Sequence, residues 1–174
     1  MSHVFTNSPA EIKAARWPHE ILLINLVFNH IFVFVAMLSV VKSFPLGTLL
    51  TPVLSFSIIG YILVKQQQIE ASDASFFLKG HWKIAAKRNR WLMYLLVFTC
   101  ATTGGGFLLS KAFVWSKTAT IMMWAIVGGI GFLPFMIALL VLVTLGSDSM
   151  NIARDGRLPD NFLSKNPIPE SESR

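Results

Sequence analysis

A chain of 174 residues with 53% hydrophobic and only 14% charged residues falls well short of the roughly 25% charge of a soluble domain. The deficit is what membrane helices produce, because Asp, Lys and Arg each cost ~2.5–3.5 kcal/mol at a helix centre. A length that leaves no room for a soluble catalytic domain, and a formal charge of +6 that reads as membrane orientation, exclude a nucleic-acid partner and argue against an enzyme.

Residues 1–20 come first. Ser8-Pro9-Ala10-Glu11 has the chemistry of a helix start: Ser8 caps, Pro9 suits the first helical position and Glu11 stands where a capping box places a carboxylate. This segment is expected to be a short interfacial helix ending near Trp17, with Pro18 kinking or restarting it. No cleavable signal of the usual form is legible, so the first span is expected to act as an uncleaved anchor.

Four apolar stretches follow, Ile21–Val41, Phe44–Val64, Trp91–Leu109 and Thr118–Leu145. Each has about the ~20 residues needed to cross ~30 Å of hydrocarbon. The predicted fold is all-α: a four-span bundle over 21–145, built as two antiparallel helix hairpins. Spans one and two are joined by a tight turn at Lys42-Ser43 and Pro45, and Pro52 is expected to kink span two. Twelve of the 15 Lys and Arg residues fall in the head, the 65–90 loop and the tail, with only Lys42, Lys111 and Lys117 on the other side. That bias places both termini and the loop in the cytoplasm, in a bacterial inner membrane.

Polar residues inside a membrane are the first functional candidates. Span one carries Asn25, Asn29 and His30; the two asparagines are one turn apart and His30 lies near the midplane. They serve as interhelical hydrogen-bonding groups, or His30 serves as a proton carrier, a haem ligand or part of a quinone pocket. A two-histidine haem needs a second deep histidine. His19 lies on nearly the same face but about 16 Å lower at 1.5 Å per residue, and His81 is expected at the surface, too shallow to reach His30.

In the loop, Lys79, Lys83 and Lys87 recur every fourth residue, with Phe77, His81, Ile84 and Ala85 opposite; Arg88 and Arg90 add charge. The pattern predicts an amphipathic basic helix lying in the headgroup layer, anchoring the protein or docking an anionic lipid or acidic partner. Cys100, the single cysteine, sits in span three, which excludes an intramolecular disulfide and the small thiol oxidoreductases that need cysteine pairs.

Spans three and four carry glycine runs, Gly104-Gly105-Gly106 and Gly128-Gly129 with Gly131. Ala101 with Gly105, and Ala125 with Gly129, have small-xxx-small spacing, so a close helix–helix seam is expected. The rival expectation is a pair of broken helices around a transport site. A faint internal echo pairs Ala14-Ala15-Arg16 with Ala85-Ala86-Lys87, and Leu26-Val27-Phe28 with Leu96-Val97-Phe98. The polar tail, 146–174, is expected to form one short helix ending near Gly156 and then to be mobile. No carboxylate lies within a span, no HExxH or other metal spacing occurs, and no nucleophile–base arrangement is legible. The expectation is a small accessory or structural subunit that packs against other membrane proteins. The alternatives are a haem- or quinone-associated redox protein using His30, and a small-molecule transporter or channel.

Overall fold

The computed structural model describes residues 5–41, 43 and 45–169. Lys42, Phe44 and Arg174, which entered the expectations above, lie outside the described residues. The described chain is helical, with no strand among the described residues. The elements are α1 (Pro9–Leu23), a π-helical segment (Ile24–Val33), α2 (Phe34–Ser39), a 3-10 turn (Pro45–Leu49), α3 (Leu50–Glu70), α4 (Phe76–Ala112), α5 (Lys117–Val127), a second π-helical segment (Gly128–Phe132), α6 (Leu133–Arg154) and α7 (Asp160–Leu163). Four continuous helical stretches are long and apolar enough to cross a membrane: Pro9–Ser39, Leu46–Glu70, Phe76–Ala112 and Lys117–Arg154.

Helix starts follow the local chemistry. The Ser8 hydroxyl accepts from the Glu11 backbone N–H at 3.2 Å, satisfying one of the orphan donors of the first turn. The Glu11 carboxylate accepts from the Ser75 hydroxyl, and Ser75 also accepts from the Leu78 N–H at 3.3 Å at the start of α4. One carboxylate therefore ties two helix starts together.

Two expectations are corrected. Pro18 does not end the first helix, which runs through it to Leu23 and onward to Ser39. Ala15, Pro18, His19 and Leu22 are all buried there, and burial of this stripe outweighs the local penalty for proline. Pro52 is the third residue of α3 and lies inside the continuous helical stretch Leu46–Glu70. The loop helix is not separate: residues 77–87 belong to the 37-residue α4, and their apolar face packs into the protein rather than onto lipid.

The chain divides into two compact units, Met1–Arg90 with Leu142–Arg174, and Trp91–Val141. The first has a core of Phe5, Ala15, Phe77, Ala153 and Leu158, flanked by Phe76, Leu78, Ile84, Phe162, Leu163 and Ile168. The tail thus contributes to the core instead of moving freely. Its route is set by Gly156 (φ +66°): Gly156 N–H bonds Ala153 O and Arg157 N–H bonds Ile152 O, both at 3.1 Å. This is the double bond pattern of a glycine-terminated helix. The Gly156 carbonyl then accepts from Phe5 N–H at 2.9 Å, and Leu158 lands on Gly80, where a Cβ would lie 2.7 Å from Leu158 Cδ2.

In the second unit, close approach occurs at two glycines. A Cβ on Gly106 would stand 2.7 Å from Val127 Cγ2, and one on Gly131 would collide with Thr102 Oγ1. The Gly131 carbonyl accepts from Thr99 Oγ1 at 3.1 Å, within the π turn that precedes Pro134. From Val97 to Ile130 the one buried residue is Gly106.

Candidate functional site

The buried polar groups of the first unit form two clusters on one helix face. Counting along the first stretch, Ala15, Pro18, His19, Leu22, Asn25, Leu26, Asn29 and His30 are buried, a continuous stripe at helical spacing. The π-helical geometry of Ile24–Val33 keeps both asparagines and His30 on that stripe; π turns occur frequently at functional sites.

The inner cluster is built on Asn25. Its side-chain amide donates to Ser55 Oγ at 3.0 Å, and its Oδ1 accepts from Asn29 Nδ2 at 3.0 Å. Asn29 Nδ2 also donates to the Thr51 carbonyl at 2.9 Å. His30 Nδ1 donates to the Asn25 carbonyl at 2.9 Å, which fixes the proton on Nδ1 because a carbonyl only accepts. These bonds join the first helical stretch to α3.

The second cluster was missed by sequence reasoning. His81 is fully buried, not at the surface. Its Nε2 donates to the Arg157 carbonyl at 2.9 Å, so neutral His81 presents Nδ1 as an acceptor, and His19 Nε2 donates to it at 3.1 Å. The imidazoles meet edge to face, 5.3 Å between centroids and 87° between planes, and Phe77 covers His81 at 4.8 Å. His19 Nδ1 is buried without a hydrogen-bond partner among the described residues, as are Arg88 Nη1, Asn89 Oδ1 and Ser149 Oγ. Helix register brings Ser149 level with His19, because Ala153 shares a core with Ala15 and Gly146 meets Leu22 and Leu23.

These groups lie at the polar ends of their helices, outside the apolar sequence runs Ile21–Val41, Trp91–Leu109 and Thr118–Leu145, and burial governs their charge. Burial pushes His81 down to about 4; its bond to the Arg157 carbonyl opposes that shift, and the Arg88 charge adds to it. Burial holds His19 well below its ordinary value, with His81 and Arg88 contributing. Arg88 is lowered by burial, partly offset by Asp148. The pair is therefore neutral at pH 7, and its chemistry is that of a hydrogen-bonded relay: Arg157 carbonyl, His81, His19.

The remaining candidate residues are placed as follows. Lys83, Lys87 and Arg90 are exposed, while Lys79 and Arg88 are half-buried; Lys83 Nζ is 3.4 Å from Asn166 Oδ1. Cys100 is exposed. A Cβ at Gly104, Gly105, Gly128 or Gly129 would meet nothing within 4 Å, and Ala101 and Ala125 are exposed beside them. Gly104–Gly106 lies inside uninterrupted α4, and Gly128–Phe132 widens into a π turn without a break. No group of three or more His, Cys, Asp or Glu residues that could hold a metal ion occurs among the described residues. Comparison with protein-family models, curated proteins and solved structures finds no match.

Proposed function

We propose that the protein is a small multi-pass subunit of a larger inner-membrane assembly, non-catalytic, with the helix pair of its Trp91–Val141 unit as the docking element. The observation that carries this reading is the open glycine face. A Cβ added at Gly104, Gly105, Gly128 or Gly129 would meet nothing within 4 Å, although small residues are the positions at which membrane helices approach most closely. Lipid gains little from such a flat surface, whereas a partner helix gains close van der Waals contact along it. The buried polar clusters support the same reading, since the bonds of Asn25, Asn29 and His81 link segments of the chain to one another.

In this reading the four spans form two antiparallel hairpins with both termini in the cytoplasm. The contact order supports the hairpins: Asn25 with Ser55 and Asn29 with Thr51 in one, Gly106 with Val127 and Thr102 with Gly131 in the other. The cationic bias supports the orientation.

The test is co-purification in a mild detergent, comparing the wild-type chain with Gly105→Leu and Gly129→Leu. A stoichiometric membrane partner should accompany the wild type and be lost from both variants, with the melting temperature of the isolated chain unchanged. A wild-type chain that emerges alone from every mild detergent, or variants that keep the partner, would overturn the reading.

A further inference from the structure

A groove of about 430 Å³ opens on the first unit, lined by Ala10, Lys13, Ala14 and Trp17 of α1, Tyr61, Lys65 and Ile69 of α3, and Leu78 and Trp82 of α4. Each helix contributes one stripe at three- to four-residue spacing, so the hollow is a product of helix geometry. Ala10 and Ala14 leave the space, and Trp82, only 3% exposed, forms the floor.

The lining is graded in polarity. The hydrogen bonds of Asn25 to Ser55 and Asn29 to Thr51 set the register of α1 against α3. Carried back along both helices, that register brings Lys13 level with Lys65 and Trp17 level with Tyr61. The lysines stand on the side away from the apolar stretches and the aromatic rings at their edge. Trp and Tyr favour the headgroup level, where one end of the ring is apolar and the other wet. Among the described residues neither lysine belongs to an ion pair; the two ion pairs are Arg16 with Glu20 and Arg157 with Asp155. Lys65 makes a 3.4 Å contact with the neutral amide of Gln68. Two ammonium groups without acidic partners therefore face a hollow walled by aromatic rings.

We propose that this groove binds one anionic phospholipid drawn from the bilayer. Its phosphate sits between Lys13 and Lys65, its glycerol backbone lies over Trp82 between Trp17 and Tyr61, and its chains leave along the exposed apolar residues Ile24 and Phe28, which continue the Trp17 stripe. The volume suits a headgroup and glycerol unit, falling in the ~300–1,000 Å³ range of small-molecule sites, and not a whole lipid. The charge pattern requires an anionic headgroup, because a zwitterionic one would carry its own cation to the two lysines. The site is separate from the basic stripe of Lys79, Lys83 and Lys87, and it does not depend on the subunit reading.

The experiment uses the full chain with Trp91, Trp115 and Trp124 changed to Phe, so that only Trp17 and Trp82 emit. It is reconstituted in phosphatidylcholine vesicles containing a tenth brominated phosphatidylglycerol, and separately a tenth brominated phosphatidylcholine. Bromine quenches by contact, so the glycerol lipid should quench well beyond its share of the bilayer, and the choline lipid only in proportion. Each lysine should be worth roughly fivefold in that preference. Lys13→Gln with Lys65→Gln should abolish the excess, as should Ala14→Phe, which fills the hollow at constant charge. Lys79→Gln with Lys87→Gln, the same loss of charge outside the groove, should leave it intact. Equal quenching by both lipids overturns the proposal. So does an excess that survives Ala14→Phe, or one that falls equally in the two double-lysine variants, which would mark general surface attraction.

Discussion

His19 and His81, 62 residues apart, are hydrogen-bonded through Nε2 and Nδ1 at 3.1 Å with neither ring exposed. The bond needs one donor and one acceptor, and the Arg157 carbonyl has already assigned the donor role to His81 Nε2. Protonating both rings puts two donors face to face in a site where burial disfavours charge. The folded-state value of His81, about 4, is below the ~6.5 of an unfolded imidazole. Between those values the unfolded chain binds more protons, so stability rises with pH. The stabilisation is complete above about pH 6.5 and is lost as the pH falls toward 4. Thermal melts in detergent at pH 7.5, 6.0 and 4.5 should show it, by an amount on the order of 3 kcal/mol for His81. The double variant His19→Gln, His81→Gln should be less stable at pH 7.5 and flatter over this window. An unchanged pH slope in that variant would remove the pair from the account.

The glycines separate into two classes with opposite outcomes. Gly106→Ala drives a methyl group against Val127, a β-branched side chain stiff about χ1, and should destabilise the chain by about 1–3 kcal/mol. Gly131→Ala should do the same while disturbing the bond from Thr102 Oγ1 to Thr99 O. Gly105→Ala and Gly129→Ala meet open space and should be neutral or slightly stabilising, since Ala is the better helix former by up to ~1 kcal/mol. Melts of all four in one detergent decide the matter; equal losses at all four positions would contradict the packing described.

The spans were legible because long apolar runs have few other destinations, and Ser8 was legible because its capping chemistry is local. What covers an apolar face is not local. Periodicity put Phe77, His81, Ile84 and Ala85 on one side of a helix, correctly, but could not distinguish lipid from the chain's own tail. Gly80 held the missing signal: a lone glycine inside a helix asks for a close neighbour, and that neighbour is Leu158. In span three the seam runs one residue away from the small-xxx-small pair, through Gly106 and not Gly105, and spacing alone does not choose between adjacent faces. Two pairs of the echo, Ala15 with Ala86 and Leu26 with Leu96, are buried in both members.

Asn25 is the hub of the inner cluster, so its loss should cost more than the bonds it makes. Asn25→Leu leaves Ser55 Oγ without its donor and one amide N–H of Asn29 without that acceptor. A loss of about 1–2 kcal/mol is expected, in the range of interhelical hydrogen bonds within membranes. Ser55→Ala alone should cost less, because the Asn25 amide keeps its bond with Asn29. A double-mutant cycle on Asn25→Ala and Ser55→Ala should give a coupling of about 0.5–1.5 kcal/mol. A coupling indistinguishable from zero would mean that the 3.0 Å contact contributes nothing to folding.

The packed tail makes a claim that proteolysis reads directly. The bond after Arg157 is a tryptic site, yet the Arg157 carbonyl is held by His81 and the next residue, Leu158, is 1% exposed. Cleavage there requires local opening, so in the folded protein it should be slow compared with the denatured chain. Leu158→Ala removes a side chain lodged against Gly80 and Phe77's core and should cost about 2–5 kcal/mol. At a fixed trypsin concentration that loss raises the open population, and cutting after Arg157 should accelerate at least tenfold when opening is in rapid equilibrium. Lys83→Gln, which touches the tail only through a 3.4 Å contact with Asn166, should leave the rate almost unchanged. Wild-type cleavage after Arg157 as fast as in the denatured chain would return the segment to the mobile tail that its proline-rich, polar sequence predicts.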